Sequence, residues 1–152
     1  MRLSSKGRYA VMALADLAVH SAGQPVALAD IAERQAISLS YLEQLFARLR
    51  RHGVVRSVRG PGGGYLLAAS PSETRISAIV AAVDEPLGTA RCVPGAPEAC
   101  HPGDEPCLTH GLWQGLGEQI RAYLSSISLA DICDGRLPPA RPSPERRSVA
   151  AE

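Results

Sequence analysis

Leu42, Leu45, Phe46 and Leu49 recur at i, i+3, i+4 and i+7, the spacing of one face of an α-helix. Gly53 ends that segment, and Arg48, Arg50 and Arg51 fall near its end, where positive charge suits the helix dipole. Upstream, Ser5 is placed to cap a first helix reaching about Ala22, closed by Gly23-Gln24-Pro25. Leu28–Gln35 has a short helical pattern with Leu28, Ile31 and Ala32 on one side. Downstream, the β-prone runs "VVRSV" and "YLLAA" flank "RGPGGG", which predicts a hairpin with a flexible tip. Ile76, Ile79, Val80 and Val83 predict another short helix, stopped at Pro86. Leu108, Leu112, Leu116, Ile120 and Leu124 repeat every four residues, with Trp113, Tyr123 and Ile127 beside them, predicting a long helix with a broad apolar face. From Gly135 on, "GRLPPARPSPERRSVAAE" has almost nothing to bury and reads as a disordered tail over 135–152.

Two short helices, a tight turn, a basic second helix and a hairpin behind it describe a winged helix-turn-helix. The expected fold class is therefore mainly α with a small β-hairpin wing, followed by a long C-terminal helix. Charge strengthens this reading. The whole chain carries only +1, but residues 1–65 hold nine Lys/Arg against four Asp/Glu, a net +5, while the remainder is acidic. A basic front half suits an anionic partner such as nucleic acid, although a merely solvated basic face has the same composition.

If Leu42, Leu45, Phe46 and Leu49 face inward, 100° per residue puts Ser40, Gln44, Ala47 and Arg51 outward, with Glu43, Arg48 and Arg50 on the flanks. The start of a recognition helix meets base edges, while basic groups elsewhere grip phosphates. Gln pairs well with adenine, and Glu accepts from the cytosine amino group. Ser38, Ser40, Tyr41, Glu43, Gln44, Arg48 and Arg51 are thus the helix candidates, with Arg56 and Arg59 on the wing. Ser40-x-x-Glu43 also has capping-box spacing, a purely structural alternative. "RGPGGG" lacks the Gly-Lys-Ser/Thr and the following helix of a phosphate loop. Its glycines instead let the wing backbone approach a duplex, with Arg59 directed to a narrow minor groove.

The apolar run near the N-terminus, Tyr9–Ala15, is interrupted by Asp16 and followed by no cleavage motif, and no stretch approaches the roughly 18 apolar residues of a membrane span. A cytoplasmic protein is expected, where structural disulfides are rare. Its four cysteines then point to metal or redox chemistry. Cys92, Cys100, Cys107 and His110 offer three thiolates and one imidazole. Cys107 and His110 are three apart at the expected start of the long helix, with Asp104 a candidate N-cap, so both side chains are expected on one face. Zinc accepts such a donor set, but gaps of seven and six residues do not match its short paired spacings. A [2Fe–2S] cluster also takes four protein ligands, and histidine in place of cysteine is known there. His101 competes for the fourth position without the helical spacing, and Cys133 in "LADICDG" reads as a buried thiol. No catalytic constellation is visible, and the chain reads as a non-enzyme.

The segments "MRLSSKGRYAV", "ISLSYLEQLFARLRR", "SVRGPGGGYLL", "AVDE" and "CLTHGLW" together resemble the IscR family of bacterial iron–sulfur cluster regulators, over residues 1 to about 130. The resemblance implies a homodimeric winged-helix transcription factor with a [2Fe–2S] cluster on Cys92, Cys100, Cys107 and His110. It implies base reading by Ser40, Glu43, Gln44 and Arg59. It implies repression of cluster-assembly genes in the cluster-bound form, with the cluster-free form still binding a second class of sites. The cysteine loop here is longer and richer in proline than is usual for that family.

On this reading residues 1–68 form the DNA-binding region, 69–90 connecting helices, 91–110 the cluster-binding loop and 107–128 a dimerisation helix. Its seam is Leu108, Leu112, Leu116, Ile120 and Leu124. The expected partners are double-stranded DNA, a second copy and cluster-delivery proteins, with no membrane. Two rivals stay in view: a nitric-oxide-sensing repressor of the same fold, against which the histidine ligand argues, and a cluster carrier or electron-transfer protein, which leaves the basic front half unexplained.

Overall fold

The computed structural model describes residues 5–83 and 108–138. Helix α1 (Ser5–His20) is the centre of the packing: α2 (Leu28–Gln35), α3 (Leu39–Arg51), α4 (Ile76–Ala82), α6 (Leu129–Cys133) and strand β2 (Gly64–Leu67) all touch it. Half of its buried positions are small, Gly7, Ala10 and Ala13 beside Leu14, Asp16 and Leu17, so several elements can approach its backbone closely. The core joins these to Ile31, Leu42, Leu45, Phe46, Leu49, Val55, Ile79, Val80, Val83 and Leu129.

The connection from α2 to α3 is tight. Ala36 ends α2 in the left-handed conformation at φ 52°, and Ser38 caps α3 by accepting the Tyr41 amide at 3.3 Å. Ser38, not Ser40, is therefore the N-cap, so the Ser40–Glu43 capping box does not form and both side chains sit exposed within the helix. The predicted apolar stripe of α3 is buried as a unit. Phe46 meets Tyr65 edge-on at 5.0 Å between ring centres, fastening α3 to the hairpin.

Strand β1 (Val55–Val58) pairs antiparallel with β2, Val55 opposite Leu67 and Val58 opposite Gly64. The tip closes through the Gly63 amide on the Gly60 carbonyl at 2.9 Å, with Gly60 at φ 101°, a backbone position that glycine takes without strain. Val26 and Tyr65 exchange both backbone bonds, at 3.0 and 2.8 Å, which ties the wing to the α1–α2 connection.

Helix α5 (His110–Ser126) begins later than expected. Thr109 stands at its N-cap, and Leu108 and Thr109 form a turn before it; the expected N-cap, Asp104, and Cys107 lie outside the described residues. It also ends before Ile127, which leaves the helix and is buried. Backbone bonds from Ile76 to Ile127 (3.1 Å) and from Leu129 to Thr74 (2.8 Å) stitch this end of α5 to the start of α4. Among the described residues most of the apolar face of α5 remains uncovered: Leu112 is 65% and Tyr123 50% exposed, Trp113 and Leu116 are exposed as well, and so is Leu108 just before the helix. Ile120 and Leu124 are half-buried. The expected tail begins among the described residues at Gly135 and continues beyond them.

Candidate nucleic-acid interface

Four inward side chains fix how α3 is rolled, and that roll decides what points out. Ser38, Ser40, Glu43, Gln44, Arg50 and Arg51 are exposed, and Tyr41 is half-buried against Tyr9 of α1, edge-on at 5.9 Å. Arg56 projects from the outer face of β1, and Arg59 follows that strand into the glycine turn; both are exposed. The structure thus brings the start of α3, its basic end and the wing onto described, solvent-facing surface. Arg48 differs from the other arginines. It is half-buried, and its Nη1 reaches the carbonyl of Val83 at the end of α4, at 3.5 Å. His52 Nδ1 donates to the Arg48 carbonyl at 3.0 Å and finishes the helix.

Two features of this surface were not found by reading the sequence. Exposed Lys6 and Arg8 lie on the first turns of α1, which the Tyr9–Tyr41 contact sets beside the start of α3. Their signal in the sequence is the local "SKGRY", which adds to the basic front half but does not by itself place them beside α3. The second is an ion pair behind the helix-turn-helix, its acid buried and its guanidinium reaching solvent. The Asp16 side chain on α1 is 1% exposed and accepts from Arg34 Nε at 3.1 Å on each oxygen, Arg34 Nη2 at 2.6 Å and Gln35 Nε2 at 2.8 Å. His20 adds a bond to the Asp16 carbonyl at 2.9 Å. Burial pushes the Asp16 carboxyl up, but the bonds from Arg34 and Gln35 and the nearby positive charge outweigh it, and the carboxyl lies below its ordinary value of 3.8.

Of the expected cluster ligands, His110 is described, half-buried at the first residue of α5. Cys92, Cys100 and Cys107 lie outside the described residues, and among those described no three His, Cys, Asp or Glu side chains converge as a metal site. Cys133 is half-buried on α6, with its Sγ 3.9 Å from the Ala15 carbonyl. Burial, with Asp134 nearby, pushes its thiol up, so it is neutral at physiological pH and a poor nucleophile or ligand. No helix among the described residues is long and apolar enough to cross a membrane.

Comparisons with known proteins agree with this architecture. A family model described as Rrf2, an iron-dependent transcriptional regulator, matches residues 3–135. The HTH-type transcriptional regulator IscR of Serratia proteamaculans (strain 568) is 56% identical over 136 residues, covering 90% of this chain and 81% of that protein. Its counterpart in Yersinia enterocolitica is 55% identical over the same shares. Among solved structures, T. potens IscR superposes with a TM-score of 0.71 at 38% identity, covering 90% of this chain and 88% of that one. CymR, the global cysteine regulator of B. subtilis, gives 0.74 at 29% identity, covering 89% of this chain and 98% of that one. With the family model spanning most of the chain and regulators this similar beside it, this winged helix-turn-helix protein is a transcriptional regulator rather than an enzyme, and belongs to the Rrf2 family of iron-dependent transcriptional regulators.

Proposed function

We propose that the protein is a homodimeric, cytoplasmic regulator that reads promoter DNA with α3 and the wing, and whose choice of sites depends on a [2Fe–2S] cluster. The observation that carries the DNA-reading part is the exposed row Ser40, Glu43 and Gln44 at the start of α3, flanked by exposed Arg51, Arg56 and Arg59. Ser38 and Tyr41 have a share in building that row: one caps the helix and the other braces it. Arg48 is assigned to the phosphate-gripping set beside its bond to the Val83 carbonyl.

The cluster is assigned to Cys92, Cys100, Cys107 and His110. Three thiols and an imidazole are a donor set that [2Fe–2S] chemistry accepts, and regulators named IscR are the relatives at hand. When bound, the cluster supplies a redox-sensitive and labile centre. The chain's own contribution at the described end is His110, held at the first turn of the helix whose far end is stitched to α4. A neutral imidazole is a weaker and uncharged donor compared with a thiolate, which favours an exchangeable group. Repression of cluster-assembly genes when loaded, and delivery of the cluster by dedicated carrier proteins, are part of the same proposal and rest on the likeness to regulators named IscR. Dimerisation is assigned to Leu108, Leu112, Leu116, Ile120 and Leu124.

Anaerobic purification followed by iron, acid-labile sulfide and visible absorption measurement tests the cofactor. About two of each element per chain are expected. Zinc alone overturns the cluster. Duplex binding across a salt series tests the partner, with a log–log slope of about −0.9 for each phosphate neutralised. A cluster carrier with no regulatory role binds duplex weakly and with no sequence preference. Serine at Cys92, Cys100 or Cys107 is expected to abolish the response of site choice to iron supply while leaving a folded, DNA-binding chain.

A further inference from the structure

We infer that Asp16 is a positioning residue for sequence recognition: its buried carboxylate locks the last turn of α2 and, through the turn at Ala36, sets the angle at which α3 is presented. The inference rests on the DNA-reading role of α3 proposed above. Beyond Leu28 and Ala32, half-buried against the core, little else holds α2. That helix has eight residues, one fully buried side chain, Ile31, and an N-cap residue, Ala27, with no side-chain bond to offer. Apolar contact alone would let so short an element slide or tilt over α1.

Directional bonds remove that freedom. Four hydrogen bonds from the last two residues of α2, Arg34 and Gln35, converge on one carboxylate of the central helix. The guanidinium fork and the carboxylate match only in one plane, so a displacement of about 1 Å takes bonds of 2.6–3.1 Å out of range. Immediately beyond come Ala36 in its left-handed conformation and Ser38, the cap of α3. The start of α3, where Ser40, Glu43 and Gln44 are exposed, is thus only a few residues from the pin. Burying the Asp16 carboxylate is seldom the most stabilising filling for such a site, because an apolar residue of similar volume packs as well. Fixed geometry is what the ion pair adds.

The test separates discrimination from stability. The probes are a duplex of about 30 base pairs, three helical turns, selected from a random pool by the unaltered protein, and a scrambled duplex of equal length. Asp16→Asn, which keeps the shape, and the double variant D16N/R34M, which leaves no uncompensated charge, are assayed at a temperature where circular dichroism shows full folding. Loss of one well-aligned base contact corresponds to about a tenfold change in affinity. The expected result is a fall of about tenfold in affinity for the selected duplex, with less than a twofold change for the scrambled one and an unchanged salt slope. Asp134→Asn, which removes an exposed pair with Arg136, serves as the control and leaves both affinities as they were. Where D16N does not fold, the double variant decides. A folded variant that keeps the full ratio between the two duplexes overturns the inference, and so does an equal loss on both. If the unaltered protein selects no sequence at all, the DNA-reading proposal fails and takes this inference with it.

Discussion

Asp16 carries a charge that only the folded chain rewards, and this makes it a reporter of acid stability as well as of helix placement. Its folded-state value lies below the ordinary 3.8, so below that range the unfolded chain binds the extra proton first. The contribution is therefore complete above the unfolded value and is lost as pH falls through the folded one. Glu73, bonded by Ser70, and Asp131, bonded by Ser128, are depressed in the same direction and add to the same limb. Melting temperature followed by circular dichroism from about pH 6 to pH 3 is expected to fall for the unaltered protein. Asp16→Asn starts lower, because Arg34 loses its partner, and declines less steeply over that interval. Parallel curves would mean that the pair does not bias folding. Glu43 is the opposite kind of acid, exposed at the start of α3. Its carboxylate, where no base donor meets it, repels phosphate and restricts the sites tolerated. Glu43→Ala is expected to broaden the set of duplexes bound by the cluster-free protein, read as the ratio of affinities across a panel of half-site variants.

Among the elements, the hairpin depends on a close approach that a single methyl group would spoil. A Cβ on Gly64 would collide with the Val26 carbonyl and the Ala27 amide, which are backbone and cannot swing aside. Gly64→Ala should cost about 1–3 kcal/mol, the usual range for overpacking, by breaking the Val26–Tyr65 bridge. Equilibrium urea unfolding measures it, and a loss below about 0.5 kcal/mol would show that the wing is not anchored through this bridge. The turn between α2 and α3 has the reverse character. Ala36 sits at φ 52°, where a Cβ is strained, so Ala36→Gly is expected to stabilise by about 0.5–1 kcal/mol.

These two turns also show what could be read in advance. Helices α2 and α3, the hairpin and α4 were legible because periodic apolar residues and glycine or proline punctuation agree there. The left-handed alanine was hidden because nothing in "RQAISLS" marks it. Helix α6 escaped although its capping box, Ser128 with Asp131, was present in the sequence, because the apolar pattern of α5 was carried through Ile127. The exposed row of α3 was legible once its buried stripe was known. The Asp16 pair was not, since an isolated acid in an apolar helix gives no sign of a guanidinium 18 residues away.

For the whole molecule, the decisive feature is a long helix whose apolar face is largely uncovered by the described residues. Leu112, Trp113, Leu116 and Tyr123 are all exposed on α5, and Leu108 precedes it. An apolar surface of this kind on one helix is costly in water unless something buries it. A second copy related by a two-fold axis would cover it with the same residues and would carry two recognition helices at once. Two half-sites one DNA turn apart then bind together, which raises affinity because the second contact is intramolecular. Leu112→Glu with Leu116→Glu places charges in the middle of that seam. In light scattering the unaltered protein is expected at twice its 16.0 kDa chain mass, and the double variant at the mass of one chain. Loss of DNA binding is separable from unfolding, because Leu112 is 65% and Leu116 37% exposed and neither belongs to the core. The monomer should therefore keep its circular dichroism spectrum, lose at least about 100-fold in affinity for a two-half-site duplex, and retain its affinity for a single half-site. Its salt slope should be about half that of the dimer, since half the phosphates are neutralised. A variant that stays dimeric would move the interface to another face of the molecule and leave the apolar surface of α5 for a different partner.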